Sequence, residues 1–141
     1  MFYDIEAPLD FLRQIREIID EQGILVIQLS YTPLMLDQNE FGNICHEHVC
    51  YYTLGSLKTL LEEAGFGIFD VMINTTNGGS IRVYATTSGA IDSLACPLHW
   101  LSIGRARLIG TIEYEKKMEL CSPEPYLRFM RNIEALKKET L

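Results

Sequence analysis

The chain has 141 residues, an apolar fraction of 48%, a charged fraction of 22% and a net charge of −7, which suits one compact domain with a buried core. The acidic balance, with twelve Lys and Arg scattered along the chain, argues against nucleic acid or an anionic membrane as a partner, since either needs a basic footprint. No apolar run approaches the roughly 20 residues of a membrane helix. Residues 1–10 lack the basic flank and apolar core of a secretion signal, so the expected location is cytoplasmic. Cys45, Cys50, Cys96 and Cys121 are irregularly spaced with no paired motif and are expected as reduced thiols.

Residues 1–7 are short, acidic and aromatic, and read as the end of a loop or strand. From Pro8 a helix is expected, with Leu9, Phe11, Leu12, Ile15, Ile18 and Ile19 forming its apolar side. Pro8 suits the first turn, and Gly23 suits a left-handed stop after the last. Ile24 to Leu29 is an almost unbroken apolar run rich in β-branched residues, the pattern of a central strand covered on both faces. Helix, glycine stop and buried strand together make the repeating unit of an α/β sheet.

Residues 30–52 are irregular, mostly polar and carry the chemically interesting side chains. Thr53 is placed to cap a second helix with Leu57, Leu60, Leu61 and Ala64 as its core stripe, stopped by Gly65. Residues 68–75 and 81–86 read as strands joined by a Gly78-Gly79 turn, an antiparallel hairpin. Residues 88–110 show no clean period and hold the single Trp. Residues 113–120 and 123–141 read as two helices separated at Ser122-Pro123, the second carrying Tyr126, Phe129, Ile133 and Leu136 at helical spacing and ending Lys-rich.

The segment Phe41-Gly42-Asn43-Ile44-Cys45-His46-Glu47-His48 places two of the three histidines around a carboxylate, with Tyr51 and Tyr52 close behind. Catalytic groups concentrate on loops held by a rigid scaffold. Three readings stand side by side. In the first the side chains only pack and hydrogen-bond. In the second Cys45, His46, His48 and Cys50 hold zinc, although the spacing matches neither paired CxxC ligands nor two imidazoles one helical turn apart. In the third a histidine is a general base tuned by its carboxylate and hydroxyl neighbours. An extended backbone would put His46 and His48 on one side and Glu47 on the other, whereas a helix would fan the three around its axis. Neither geometry converges all three on one point, so one histidine faces a substrate and the others orient the loop or hold a phosphate. Likewise, Asn77-Gly78-Gly79-Ser80 is either a plain hairpin turn or one approaching a site, with Ser80 or Arg82 near a phosphate or sugar oxygen.

The stretch Asn39 to His48, then Tyr51-Tyr52-Thr53-Leu54, and further on Asn77-Gly78-Gly79-Ser80-Ile81-Arg82-Val83-Tyr84 resemble the sugar C-methyltransferase family. That family shows N-x-F-D-x-I-Y-H-E-H-x-x-Y-F-S-L followed by H-G-G-S-x-R-V. The likeness includes residues 11–36, is looser over 123–141 and fades over 88–110. The order of elements also resembles the last half of a seven-stranded methyltransferase sheet, whose final strand inserts antiparallel. The implied fold is α/β, a partial Rossmann-like methyltransferase sheet: a parallel strand plus a C-terminal antiparallel hairpin, followed by helices. Residues 1–87 would be the C-terminal half of the methyltransferase domain. Residues 88–141 would be a helical linker or insertion leading towards a further domain.

The implied activity is methylation of a ring carbon on a nucleotide-linked keto-deoxysugar by S-adenosylmethionine. A carbon beside a ketone must lose a proton before it attacks the sulfonium methyl group, and the family's motif makes His48 the base, with Glu47 and Cys45 beside it. His46, Asn77, Ser80 and Arg82 would bind substrate. The sequence departs from the motif at Cys45 (tyrosine in the family), Asn77 (histidine) and Gly42 (aspartate). A Rossmann-type cofactor site requires a glycine-rich strand-to-helix turn and an acidic residue ending the next strand, and nothing before Pro8 supplies them. The expected partner is therefore the missing N-terminal half of the same domain, without which the chain is expected neither to bind S-adenosylmethionine nor to turn over. The alternative is a non-catalytic module that completes another chain's sheet.

Overall fold

The computed structural model describes residues 2–140 as a mixed α/β arrangement around a three-stranded antiparallel sheet. Helix α1 (Pro8–Ile18) begins with proline in its first turn, as expected. It ends at Ile18, with Ile19 already extended, four residues before the expected stop. Gly23 is not left-handed; its N–H closes a turn on the Asp20 carbonyl. Leu12 is fully buried, whereas Phe11 and Ile18 of the expected apolar side are exposed. Residues 2–4 form a short 3-10 turn rather than a strand end, and Phe2 is buried against Phe11 and Tyr52.

Strand β1 (Leu25–Ser30) corrects the expectation of a parallel strand buried on both faces. It lies at one edge of the order β1-β3-β2 and pairs only antiparallel, with β3 (Ser80–Thr87). Ile27 and Leu29 face the core, while Ile24 and Val26 are about half exposed (51% and 49%) and Gln28 is exposed. The parallel relation survives only as direction, because β1 and β2 (Phe66–Asn74) both run opposite to β3 between them.

Between β1 and β2 come two helices. Helix α2 (Thr32–Gln38), unforeseen in the sequence, starts with Pro33 in its first turn and ends at a left-handed Asn39. Helix α3 (Leu54–Glu63) is capped by Thr53 as expected. The Thr53 hydroxyl accepts from the Ser56 N–H, and the Ser56 hydroxyl accepts from the Thr53 N–H, each at 3.0 Å. Gly65 takes the left-handed conformation after it (φ +83). Leu57 and Leu61 from α3 join Leu12, Ile27, Leu29, Val83 and Phe66 in the main core.

The two helices expected from residues 113 and 123 become α4 (Leu98–Lys117) and α5 (Glu124–Thr140). The first is a single long helix that takes in residues 98–110 of the unpatterned segment and most of the short helix after it. It packs along β2 so closely that a Cβ on Gly104 would lie 2.6 Å from the Phe69 carbonyl oxygen. Arg107 grips Asp70 of β2 with two N–H groups, Nε at 2.8 Å and Nη2 on the other carboxylate oxygen. Helix α5 sets Phe129 and Ile133 against Met35 and Leu36 of α2, leaving Tyr126 and Leu136 of its expected stripe outside that contact and partly exposed.

Candidate functional site

Each strand of the sheet delivers its connection at a defined place. At the end of β1 the chain enters α2 through Tyr31, and the loop 39–53 then swings out and returns beside the same point. Tyr52 forms a parallel bridge with Tyr31, its carbonyl accepts from the Thr32 N–H at 3.1 Å, and the Cys50 N–H reaches the Tyr3 carbonyl at 3.0 Å. The loop is thus pinned on its return side. On its outgoing side it is pinned by Asn43, which ends a one-turn 3-10 helix, Phe41–Asn43.

Asn43 is the hub of the polar contacts. The Ser30 hydroxyl, on the last residue of β1, donates to Asn43 Oδ1 at 3.3 Å. Asn43 Nδ2 donates to the Asn77 carbonyl at 3.5 Å. The Asn43 carbonyl accepts from His48 Nδ1 at 2.8 Å and from the Tyr51 hydroxyl at 3.3 Å. The half-buried His48 ring also lies against Tyr3, with centroids 4.1 Å apart, and edge-on to Tyr51 at 6.4 Å.

The residues singled out in the sequence are distributed as follows. Between His48 and Cys45 the main chain makes a turn, the His48 N–H reaching the Cys45 carbonyl at 3.3 Å. Cys45 is half-buried, and His46 and Glu47 are exposed. The segment is therefore neither a strand nor a helix. Asn77 enters through its carbonyl. Ser80 is buried, and its hydroxyl is spent on the Thr76 carbonyl at 2.8 Å. Arg82 lies further along β3, where Nε donates to Gln28 at 2.7 Å and Nη1 approaches the Tyr84 hydroxyl at 3.5 Å. Its guanidinium is engaged on the sheet face instead of on the loop. Among the described residues no group of three or more His, Cys, Asp or Glu, that of Cys45, His46, His48 and Cys50 included, is placed to hold a metal ion.

The hairpin turn has a physical reason to be glycine-rich. Asn77, Gly78 and Gly79 are all left-handed (φ 52, 73 and 123), and a Cβ on Gly79 would stand 2.8 Å from Leu34 of α2. The Gly79 carbonyl accepts from the Tyr31 N–H at 3.1 Å. This close fit brings the Asn77 carbonyl within reach of Asn43.

Behind the loop stands a second polar cluster that the sequence did not announce. Tyr31 is fully buried and donates to Glu115 Oε1 of α4 at 2.7 Å. The same carboxylate accepts from the first N–H groups of α3, those of Leu54 and of Gly55, the latter at 2.9 Å. A negative charge there satisfies orphan helix donors and complements the helix dipole. Burial, then the hydrogen bond and charge of Glu115, push the Tyr31 phenol well above its ordinary range. Burial, with a contribution from Cys50, does the same for Tyr52.

A cavity of about 540 Å³ opens elsewhere, lined by Phe69, Tyr84, Leu94, Cys96, Trp100 and Leu101 among others. It includes Ile24, before β1 begins, whereas the loop attaches at Ser30. None of its lining residues belongs to the loop. This groove is mostly apolar but also holds Tyr84, Cys96 and the paired Asp70 and Arg107, whereas the loop carries His46, Glu47 and His48.

With this geometry in view, the likenesses to known proteins are informative. Residues 1–71, half of the chain, match the family model of a methyltransferase domain. Over 81 residues, 57% of the chain, it is 35% identical to a C-methyltransferase, NovU, of Streptomyces niveus, and that match spans 19% of the relative's length. Among the described residues no helix is long and apolar enough to cross a membrane.

Proposed function

This chain belongs to the methyltransferase-domain family, and on that premise we propose that it is a segment of a C-methyltransferase acting on a nucleotide-linked keto sugar, with His48 as the base. The observation that carries the reading is the placement of His48. Its ring is fixed through one nitrogen to a carbonyl and wedged against Tyr3, which leaves the other nitrogen for chemistry. In the proposed step that nitrogen takes a proton from the carbon beside the ketone. The C–H bond breaks, an N–H bond forms, and the electron pair becomes an enolate. A positioned base of this kind contributes about 10²–10⁴-fold to the rate. In this reading Glu47 and Cys45 assist the base from the same turn, and the exposed His46 would meet substrate.

The methyl donor in this reading is S-adenosylmethionine, which supplies an electrophilic carbon. The described residues do not fit that cofactor. Their left-handed glycines sit after α3 (Gly65) and in the hairpin turn (Gly78 and Gly79), while β1 runs into α2 through Tyr31, Thr32 and Pro33, with no glycine loop. The donor would be held by the N-terminal half of the domain, a partner outside these residues. Arg82 and Ser80, engaged by Gln28 and Thr76, would reach substrate only by exchanging those partners.

The test is a chimaera in which the matching stretch of this chain replaces that of the Streptomyces niveus relative. Methyl transfer from labelled S-adenosylmethionine to a keto-sugar nucleotide is the expected result. His48→Ala in the chimaera should lower turnover by about 10²–10⁴-fold with cofactor affinity unchanged. Undiminished turnover in that variant would reject His48 as base. A second reading, completion of another polypeptide's sheet, is favoured by the edge position and exposed apolar face of β1. A chimaera that folds but never transfers methyl groups would favour it.

A further inference from the structure

We infer that Asn43 is a positioning residue which fixes His48 as its Nδ1–H tautomer and so makes Nε2 the basic nitrogen. The functional consequence rests on the reading of His48 as the base; the tautomer itself does not. A main-chain carbonyl oxygen only accepts hydrogen bonds, so the 2.8 Å contact from the Asn43 carbonyl requires a proton on His48 Nδ1. In the neutral ring that leaves the lone pair on Nε2. Free histidine prefers the opposite tautomer, so the loop imposes this one.

The carbonyl is held in place by the side chain of the same residue. The Asn77 carbonyl is likewise acceptor-only, so Nδ2 of Asn43 faces it at 3.5 Å and Oδ1 is left to accept from Ser30 at 3.3 Å. The orientation of the amide therefore follows from its partners. The Asn43 N–H adds a third tie, to the Glu40 carbonyl at 3.3 Å. One small amide thus spans the end of β1 and the β2–β3 turn, and its carbonyl steadies both His48 and Tyr51. When Nε2 accepts a proton, the positive ring already points its second N–H at a carbonyl dipole. No reorganisation is then required at the moment of transfer.

The experiment uses the chain itself, labelled with ¹⁵N, in a buffer alkaline enough for the imidazoles to be neutral. Long-range ¹H–¹⁵N correlations then report which ring nitrogen carries the proton. The expected result is His48 predominantly protonated at Nδ1, with exposed His46 and His99 showing the Nε2–H form as internal references. Asn43→Ala should shift His48 towards the mixture those references show, and Ser30→Ala should do so in part. Both leave the accepting main-chain carbonyl of residue 43 present, so a change reads its placement. His48 protonated at Nε2 in the unmodified chain would overturn the inference. An unmoved tautomer in folded Asn43→Ala, or in Ser30→Ala where the first does not fold, would overturn the positioning role. Neither substrate nor cofactor is present, so a failed chimaera and a failed tautomer are distinguishable results.

Discussion

At the scale of single residues, the Tyr31–Glu115 pair shows how a buried phenol and a helix terminus depend on each other. Tyr31→Phe removes a charge-assisted donor and leaves the carboxylate one partner short, which should cost about 1–3 kcal/mol. Glu115→Gln should cost about as much, by removing the anion from the α3 terminus, and a double-mutant cycle should give a coupling of roughly 0.5–3 kcal/mol. Denaturant titrations of the three variants measure both, and strict additivity would reject the pair. The pair, like buried Tyr52, also contributes to the alkaline limit. Because the folded phenol sits above its ordinary value, its stabilising contribution is intact below about pH 10, the unfolded tyrosine value, and is lost as pH rises beyond it. Thermal midpoints measured across that range should fall for the natural sequence and fall less steeply for Tyr31→Phe. The resemblance of residues 39–48 to the family motif singled out His48 in the sequence. The sequence did not announce Asn43, Ser30 and Glu115 as partners, because Ser30 and Glu115 make contacts 13 to 84 positions away and Asn43 holds His48 through a main-chain carbonyl, which no residue type signals.

At the scale of elements, α4 lies close against β2. Alanine is intrinsically better than glycine in a helix by about 1 kcal/mol. At Gly104 that gain meets a carbonyl oxygen 2.6 Å from the new Cβ, and the overpacking should dominate, with a net loss of about 1–3 kcal/mol. At Gly110, where nothing lies within 4 Å, the same change should stabilise by up to about 1 kcal/mol. Thermal melts of Gly104→Ala and Gly110→Ala should therefore move in opposite directions. A shift in the same direction would mean that α4 does not lie so close to the sheet. The contrast also explains why residues 98–110 gave no clean helical period. Leu101, Leu108 and Ile112 of this helix pack on the core, but Gly104 contributes no side chain and Arg107 a charge, so its apolar contact stripe is interrupted.

At the scale of the whole molecule, the sheet is covered on one face and open on part of the other. Among the described residues β1 pairs with β3 alone, and Ile24, Val26 and Met72 remain about half exposed on the open face. An uncharged edge strand beside an apolar patch favours association. Sedimentation of the isolated chain should show a mass that rises with concentration, and Val26→Lys should hold it nearer the monomer value. A mass independent of concentration in the unmodified chain would show that the open face is inert.

By itself the sequence determined the start of α1, the cap and apolar stripe of α3, the β2–β3 hairpin and the histidine-bearing loop. Each rests on short-range chemistry: proline in a first turn, a reciprocal Thr–Ser cap, left-handed glycines, residue types adjacent in the chain. The tertiary structure decided that β1 is an edge strand with one wet face, that α2 exists and receives α5, and that a single asparagine joins the loop to two strand ends. An apolar run carries no information about which of its faces will be covered. Only the arrangement of neighbouring elements settles that, and with it which ring nitrogen of His48 meets the Asn43 carbonyl.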